Sequence, residues 1–527
     1  MIIIYLPLIL LIAYFVWDRY IRVKLRINYY EKQGIQFPGG FVPFFGSYPK
    51  LIKFIEEHKP KQYPIIDFIN HTQGSNPPTY TGMLIARQLC LIINRHEPLQ
   101  DLFITKNKYF DKHPNTGQLV GKTLGDSTLF QKSNELWAKK RKSISSSLYK
   151  QKLVQMVETM KDIACETMAE WEKQGELDIV AETANMMMKN ILACVFGRQN
   201  ENPQVQYKEN GEIKQVKLGQ SIQSNIGKGI EREFQLHLTL FPELYHFYFT
   251  KQDKELVFNV DQGKDYIKAL IKSKREQFAR TGKYEGDDLL TILLQDELFQ
   301  NDDSMLIDEC LTFFAAGAQT TAVSITNFLC YMAQNQQQEE KLRNELKSIL
   351  KFFGKENKDL INELNMEIIE DFNYLKYCFY ESLRIEPPIV VSSSCQVNED
   401  MEMSGVTIKK DEMLLINIHQ IHHNSDQWVE NEQYIPERFD PSSKYYLTPA
   451  GTPRHPTSFI PFIGGKRVCL GKTFAEYAFK TIVPIMMSGR RFRFTNDEHL
   501  TSKPHYDALM FKKPEIRMRL EKISKSY

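Results

Sequence analysis

The chain has 527 residues, of which 42% are apolar and 25% charged, enough for a large core and too apolar for a disordered protein. Sixty-seven basic against 65 acidic residues leave a formal charge of +2, so no global field steers it to nucleic acid. A mean hydropathy of −0.40 excludes a polytopic membrane protein but allows one short span.

Ile2 to Trp17 are uncharged and mostly apolar. As a helix they rise ~24 Å, a little under the ~30 Å of a bilayer's hydrocarbon. Arg19, Arg22, Lys24 and Arg26 all follow this run, which predicts an uncleaved signal anchor with the rest of the chain in the cytosol. The Trp17-Asp18-Arg19-Tyr20 junction is a poor cleavage site. Phe37-Pro38-Gly39-Gly40, with Pro43 and Gly46, makes a turn-rich hinge after it.

Downstream the chain reads as one large, mainly helical domain with a minor sheet. Trp137 and Arg141 lie four apart and share one face of a helix. Leu236 to Phe249 is rich in leucine and aromatics, either a membrane-dipping lip or a core helix. A long apolar helix is predicted from Ser304 to about Gln334, interrupted by Ala316-Gly317-Ala318-Gln319-Thr320-Thr321. A glycine and hydroxyls in mid-helix cost stability that plain packing does not require. A helix from about Met366 to Ile385 stops before Pro387-Pro388 and carries Glu381 and Arg384 at i, i+3. Strands are predicted near Ile85 to Asn94, Val406 to Ile408, Met413 to Ile418 and Arg490 to Phe494.

Eight cysteines are scattered without a CxxC pair or zinc-type cluster, so buried, reduced thiols are expected. Cys469 has different company, in Phe462-Ile463-Gly464-Gly465-Lys466-Arg467-Val468-Cys469-Leu470-Gly471, just before a predicted helix from Lys472 to Met487. Orphan N–H groups there favour an anion, and Arg467 and Lys466 are expected to stabilise a thiolate. A soft thiolate suits iron, and the small residues admit a flat macrocycle.

The pattern F-x-x-G-x-R-x-C-x-G, filled by Phe462, Gly465, Arg467, Cys469 and Gly471, resembles the haem-binding loop of the cytochrome P-450 family. The resemblance implies that Cys469 is the axial ligand of haem iron, that Arg467 reaches a haem propionate and that Phe462 packs beside the sulfur. Trp137 and Arg141 resemble the family's W-x-x-x-R helix, whose two residues also reach a propionate. Ala316 to Thr321 is similar to the family's oxygen-groove motif, in which Thr320 holds the water or hydroperoxide that passes protons to bound oxygen. Gln319 stands where the family usually has an acid, and it cannot titrate. Glu381, Arg384 and Arg438, the last in Pro436-Glu437-Arg438-Phe439, resemble the family's structural E-x-x-R and P-E-R-F network. After Pro387-Pro388 the family often has a further propionate-binding arginine; this chain has Ile389-Val390-Val391-Ser392-Ser393-Ser394, where serine hydroxyls or water take its place.

The implied organisation is a signal anchor with its basic flank over 1–23, a linker and hinge over 24–46, and a haem-thiolate catalytic domain over 47–527. The implied activity is insertion of one oxygen atom from O2 into an apolar small molecule, at the endoplasmic reticulum membrane. Electrons come from an NADPH-dependent reductase or a cytochrome b-type donor, docking on Lys139, Lys140, Lys142, Lys466 and Lys472. Ile389, Val390 and Val391 are expected to face the substrate. A peroxide-using haem-thiolate isomerase or dehydratase, and a non-catalytic haem carrier or sensor, stand as alternatives.

Overall fold

The structure, a computed structural model, describes residues 2–523 other than 44, 59–63, 75, 86–87, 115–120, 149, 201–202, 234, 236, 239–240, 355–356 and 502–513. Ten helices frame the core and the cavity. Helix α1 (Ile2–Val16) runs through a π-helical turn, Trp17–Ile21, into α2 (Arg22–Glu31). The others are α3 (Glu135–Ser147), α4 (Lys150–Trp171), α5 (Ile179–Phe196), α6 (Leu218–Glu233), α7 (Lys251–Thr281), α8 (Asp303–Gln334), α9 (Asn373–Ile385) and α10 (Lys472–Met487).

Their ends are set locally. Asp178 caps α5 by accepting from the Val180 and Ala181 N–H groups, and Asp302 caps α8 through Met305 N–H. Thr250 and Asp253 form a reciprocal capping box on α7, which stops at Gly282 in the left-handed region (φ +73°).

The main core lies among α4, α5, α8, α9 and α10. Helices α5 and α8 pack closely: a Cβ on Gly317 would sit 3.0 Å from Ile191 Cδ1, and the Thr183 and Thr326 hydroxyls meet at 2.6 Å. Among the described residues α5 is the one helix long and apolar enough to cross a membrane, and most of it is buried in this core.

A second core backs the largest sheet, ordered β1 (Tyr80–Ile85), β2 (Gln88–Ile93), β10 (Met413–Ile416), β7 (Cys395–Val397) and β3 (Phe110–Lys112). Only the β2/β10 pair is parallel, with Leu414 opposite Leu91; in the antiparallel β3/β7 pair Lys112 stands opposite Cys395. A three-stranded sheet joins β11 (Arg490–Phe494), β12 (Arg517–Lys522) and β4 (Leu177–Asp178). Two hairpins, β5/β6 (Gln204–Glu209, Glu212–Lys217) and β8/β9 (Met401–Met403, Val406–Ile408), stand apart.

The mainly helical expectation with a minor sheet holds. The predicted helix over Met366–Ile385 is two, Met366–Glu370 and α9, separated at Asp371-Phe372. Residues 24–46, expected as a linker, begin inside α2, whose Val23, Ile27 and Tyr30 are buried against the large sheet. Arg26 Nε donates to Glu412 Oε1 at 2.8 Å, fastening α2 there. By contrast α1 shows Ile9, Leu10, Leu11, Ile12 and Tyr14 to solvent. In the expected lip, Leu236 and Leu240 lie outside the described residues; Pro242–His246 is a 3-10 turn, and Phe241, Phe247 and Phe249 are exposed.

Candidate active site

Seven of the eight cysteines are buried or half-buried, and Cys469 alone is exposed. Its sulfur opens into a cavity of about 1430 Å³ bounded by α3, α6, α8 and the Phe462–Gly471 loop. The loop is built around tight backbone. Cys469 N–H donates to Phe462 O at 3.0 Å, Ile463 adopts φ +58° and Gly465 φ +63°. A Cβ on Gly465 would lie 2.9 Å from Phe103 O, so no larger residue fits without moving backbone.

The sulfur faces the cavity yet lies deep in the molecule. Burial pushes the Cys469 thiol up; N–H groups of Gly471 and Lys472 and the charges of Arg141 and Lys472 pull it down. The expected stabilisation by Arg467 and Lys466 is therefore corrected: the nearby cations are Arg141 and Lys472, and burial outweighs them. Arg467 turns away, with Nη2 donating to Asp111 Oδ1 at 2.9 Å and Gln131 O at 2.6 Å, and its guanidinium 4.2 Å from the Trp137 ring centroid. Its Nε is buried without a hydrogen-bond partner among the described residues. Arg141 Nη2 donates to Val468 O at 2.5 Å, tying α3 to the residue before Cys469.

Trp137 does not line the cavity; its Nε1 donates to Thr128 O at 3.1 Å and its ring backs Arg467. Arg141, Phe462, Arg467 and Cys469 do line it, and Gly465 supports them from behind. On the α8 wall Ala316, Gly317, Gln319 and Thr320 face the same space. Thr320 Oγ1 donates to Ala316 O at 2.6 Å, which leaves its oxygen lone pairs as acceptors. Gln319 Oε1 accepts from Gln223 Nε2 of α6 at 3.1 Å, linking the motif to the facing helix. Ile389 and Val391 line the cavity, while Val390 does not.

Behind the loop, Glu381, Arg384 and Arg438 come together with side chains fully buried. Glu381 accepts from Arg384 Nε and Nη2, both at 2.8 Å, from Arg438 Nε at 3.0 Å and from Ile435 N–H at 2.9 Å. Arg384 Nη1 donates onward to His422 O at 3.1 Å, and His422 Nε2 accepts from Ile460 N–H at 2.9 Å. The network thus reaches Ile460, two residues before the cysteine loop.

Of the five lysines expected at a docking face, Lys139, Lys142 and Lys472 are exposed. Lys140 is 2% exposed and pairs with Glu309 at 3.3 Å, so it is an internal strut between α3 and α8. Lys466 is half-buried on the cavity wall. Sequence reasoning also missed Asp111, Gln131 and Gln223, the partners of Arg467 and Gln319, which lie far from them in the chain.

A thiolate-ligated haem fits these residues. A soft sulfur donor sits on the floor, Arg141 and Arg467 stand at one edge with a buried N–H of Arg467 unspent, and the residues of the facing α8 wall at Ala316 and Gly317 are small.

The comparisons agree with this geometry. Over 92% of its length the chain is 23% identical to cytochrome P450 72A15 of Arabidopsis thaliana, covering 91% of that protein. A human ultra-long-chain fatty acid omega-hydroxylase is 25% identical, over 76% of this chain and 71% of the relative. Mouse leukotriene-B4 omega-hydroxylase 3 is 31% identical over 50% of this chain, a match spanning only 44% of that protein's length. The fold is that of the retinoic acid-bound cyanobacterial CYP120A1, with a TM-score of 0.70 over 93% of this chain and 99% of that one, at 18% identity. With the Cytochrome P450 family profile matched over residues 38–520, the chain belongs to the cytochrome P450 family.

Proposed function

We propose that this protein is a membrane-anchored haem-thiolate monooxygenase that inserts one oxygen atom from O2 into an apolar small molecule. One observation carries the reading: a single large cavity holds the open Cys469 sulfur on one wall and Thr320 on another. Bound there, haem supplies reductive activation of dioxygen. Cys469 ligates the iron, Arg141 and Arg467 hold propionates, and Trp137 backs Arg467. Phe462 and Gly465 shape the loop. Thr320 holds a proton-bearing water at Oγ1. Gln319 cannot titrate, so it positions that water through its bond to Gln223. Glu381, Arg384 and Arg438 fix the layer behind the loop.

Leu102, Phe103, Leu238, Leu293 and Ile389 make much of the cavity wall apolar and exclude water. The omega-hydroxylases among the relatives support a substrate with a long hydrocarbon portion. The exposed apolar side of α1 and the exposed Phe241, Phe247 and Phe249 support attachment to the endoplasmic reticulum membrane, with the cavity entrance at its surface. Electrons come from a separate NADPH-dependent reductase that docks on Lys139, Lys142 and Lys472.

The test combines the full chain in lipid with a microsomal reductase, NADPH and 18O2, using fatty acids as substrates. Product carrying one 18O atom, formed only when reductase is present, is the expected result. Product made from a lipid hydroperoxide without reductase would instead assign a peroxide isomerase or dehydratase.

A further inference from the structure

The segment after Pro388 lacks an arginine, and its serines are not equally free to replace one. Ser392 is spent on the sheet: its Oγ accepts from Ile416 N–H at 3.0 Å and its N–H donates to Ile416 O. Ser393 is different. Its hydroxyl receives the ammonium of Lys112, which comes from the end of β3. Both residues line the cavity, beside Arg467 and Asp111.

Lys112 is 8% exposed, and among the described residues its ammonium has that one hydrogen-bond acceptor. No carboxylate of the described residues lies within ion-pair distance of its Nζ. The adjacent Asp111 is already committed, since its oxygens accept from Arg467 Nη2, Lys112 N–H, Ser133 N–H and Ser133 Oγ. A buried ammonium is costly unless an anion accompanies it. Burial and the charge of Arg467 push this one down to about 8. Arg141, Lys228, Lys466 and Arg467 line the same cavity, and Lys112, Arg141 and Lys466 each lie within reach of the Arg467 charge. Around Arg467 the cations Lys112, Arg141 and Lys466 meet one carboxylate, Asp111; of the cavity's other carboxylates Glu309 pairs with Lys140, Glu243 with Arg19, and Glu231 stands on α6. The site calls for carboxylates from a guest.

We propose that Lys112, held by Ser393, is the counter-ion of a haem propionate in this chain, replacing the arginine missing after Pro388. The inference rests on the haem reading above. It names a propionate as the carboxylate, in preference to a carboxylate on the substrate. A β3 lysine with a serine from the segment before β7 then does from two elements what a single arginine would do from one.

The full chain is loaded with haem or with its dimethyl ester, in wild type and in Lys112→Met, Lys112→Gln and Lys112→Arg, without substrate. The reduced carbon monoxide spectrum is read first; a wild type without a thiolate band would count against the haem reading itself, independently of Lys112. Haem release is then timed by transfer to excess apomyoglobin. The uncharged variants should release haem about ten- to a hundredfold faster than wild type, the span of one charge-assisted hydrogen bond. Lys112→Arg should stay within about threefold of wild type. With the dimethyl ester the difference between wild type and the uncharged variants should vanish. Lys112→Gln keeps a donor for Ser393 and carries the test should Lys112→Met not fold. Uncharged variants that hold haem as wild type does, or a deficit that persists with the ester, would overturn the assignment and leave Lys112 to another anion.

Discussion

Glu381 holds two guanidinium groups where water does not reach, and it accepts four N–H bonds doing so. Removing its charge leaves Arg384 and Arg438 buried and uncompensated, the situation in which broken ion pairs cost most. Glu381→Gln is expected to lose about 3–5 kcal/mol of stability. The midpoint of chemical denaturation measures it, and a loss below about 1 kcal/mol would show the network to be dispensable. Asp111 gives a pH-dependent counterpart. Burial opposes its ionisation, but donors from Arg467, the Lys112 N–H and Ser133 hold its carboxyl below the ordinary value. A depressed folded-state pKa contributes stability that is complete above the ordinary ~3.9 and is lost as pH falls through the folded value. Acidification through that folded value, below the ordinary ~3.9, should therefore release Arg467, and Asp111→Asn should flatten that part of the stability curve. An acid limb that Asp111→Asn leaves unaltered would place the sensitivity elsewhere.

At the scale of the element, the cysteine loop depends on backbone that only glycine supplies. Gly465→Ala must hold φ near +63° and push a Cβ against Phe103 O, a strain of about 1–3 kcal/mol. Haem retention after gel filtration should fall in this variant while secondary structure by circular dichroism stays; full retention would mean that the loop is less constrained than its geometry indicates. This loop, α10 and β11 were legible because local signals coincide there: glycines, a single cysteine, then helical and strand periods with clear edges. The break at Asp371-Phe372 was not, since polar residues on one helical face look alike whether the helix continues or restarts. The β5/β6 hairpin escaped because Gln, Lys and Glu dominate both strands and β6 shows nearly all of its side chains to solvent, leaving Val205 and Tyr207 of β5 as the buried pair. The pairing of Arg467 with Asp111 spans 356 positions, and no local pattern announces it. Lys140 looked like one more surface lysine because its burial depends on Glu309 of a distant helix.

At the scale of the whole molecule, segments distant in the chain meet. Helix α1 and the exposed phenylalanines of 241–249 are near enough for the Phe15 and Phe241 rings to meet edge to face at 6.3 Å, and Arg19 lies 3.6 Å from Glu243, which lines the cavity. Exposed apolar side chains and a residue of the cavity wall are thus brought together from segments more than two hundred residues apart. Composition allowed one apolar N-terminal segment beside one large domain, but not that the two meet. The central claim is that Cys469 alone among eight thiols binds haem iron as a thiolate, and the reduced carbon monoxide difference spectrum tests it most directly. Wild type should show the red-shifted band of a thiolate ligand, and Cys469→Ala should lack it while the other seven cysteines remain. A wild type without that band, or a Cys469→Ala protein that keeps it, would contradict the account.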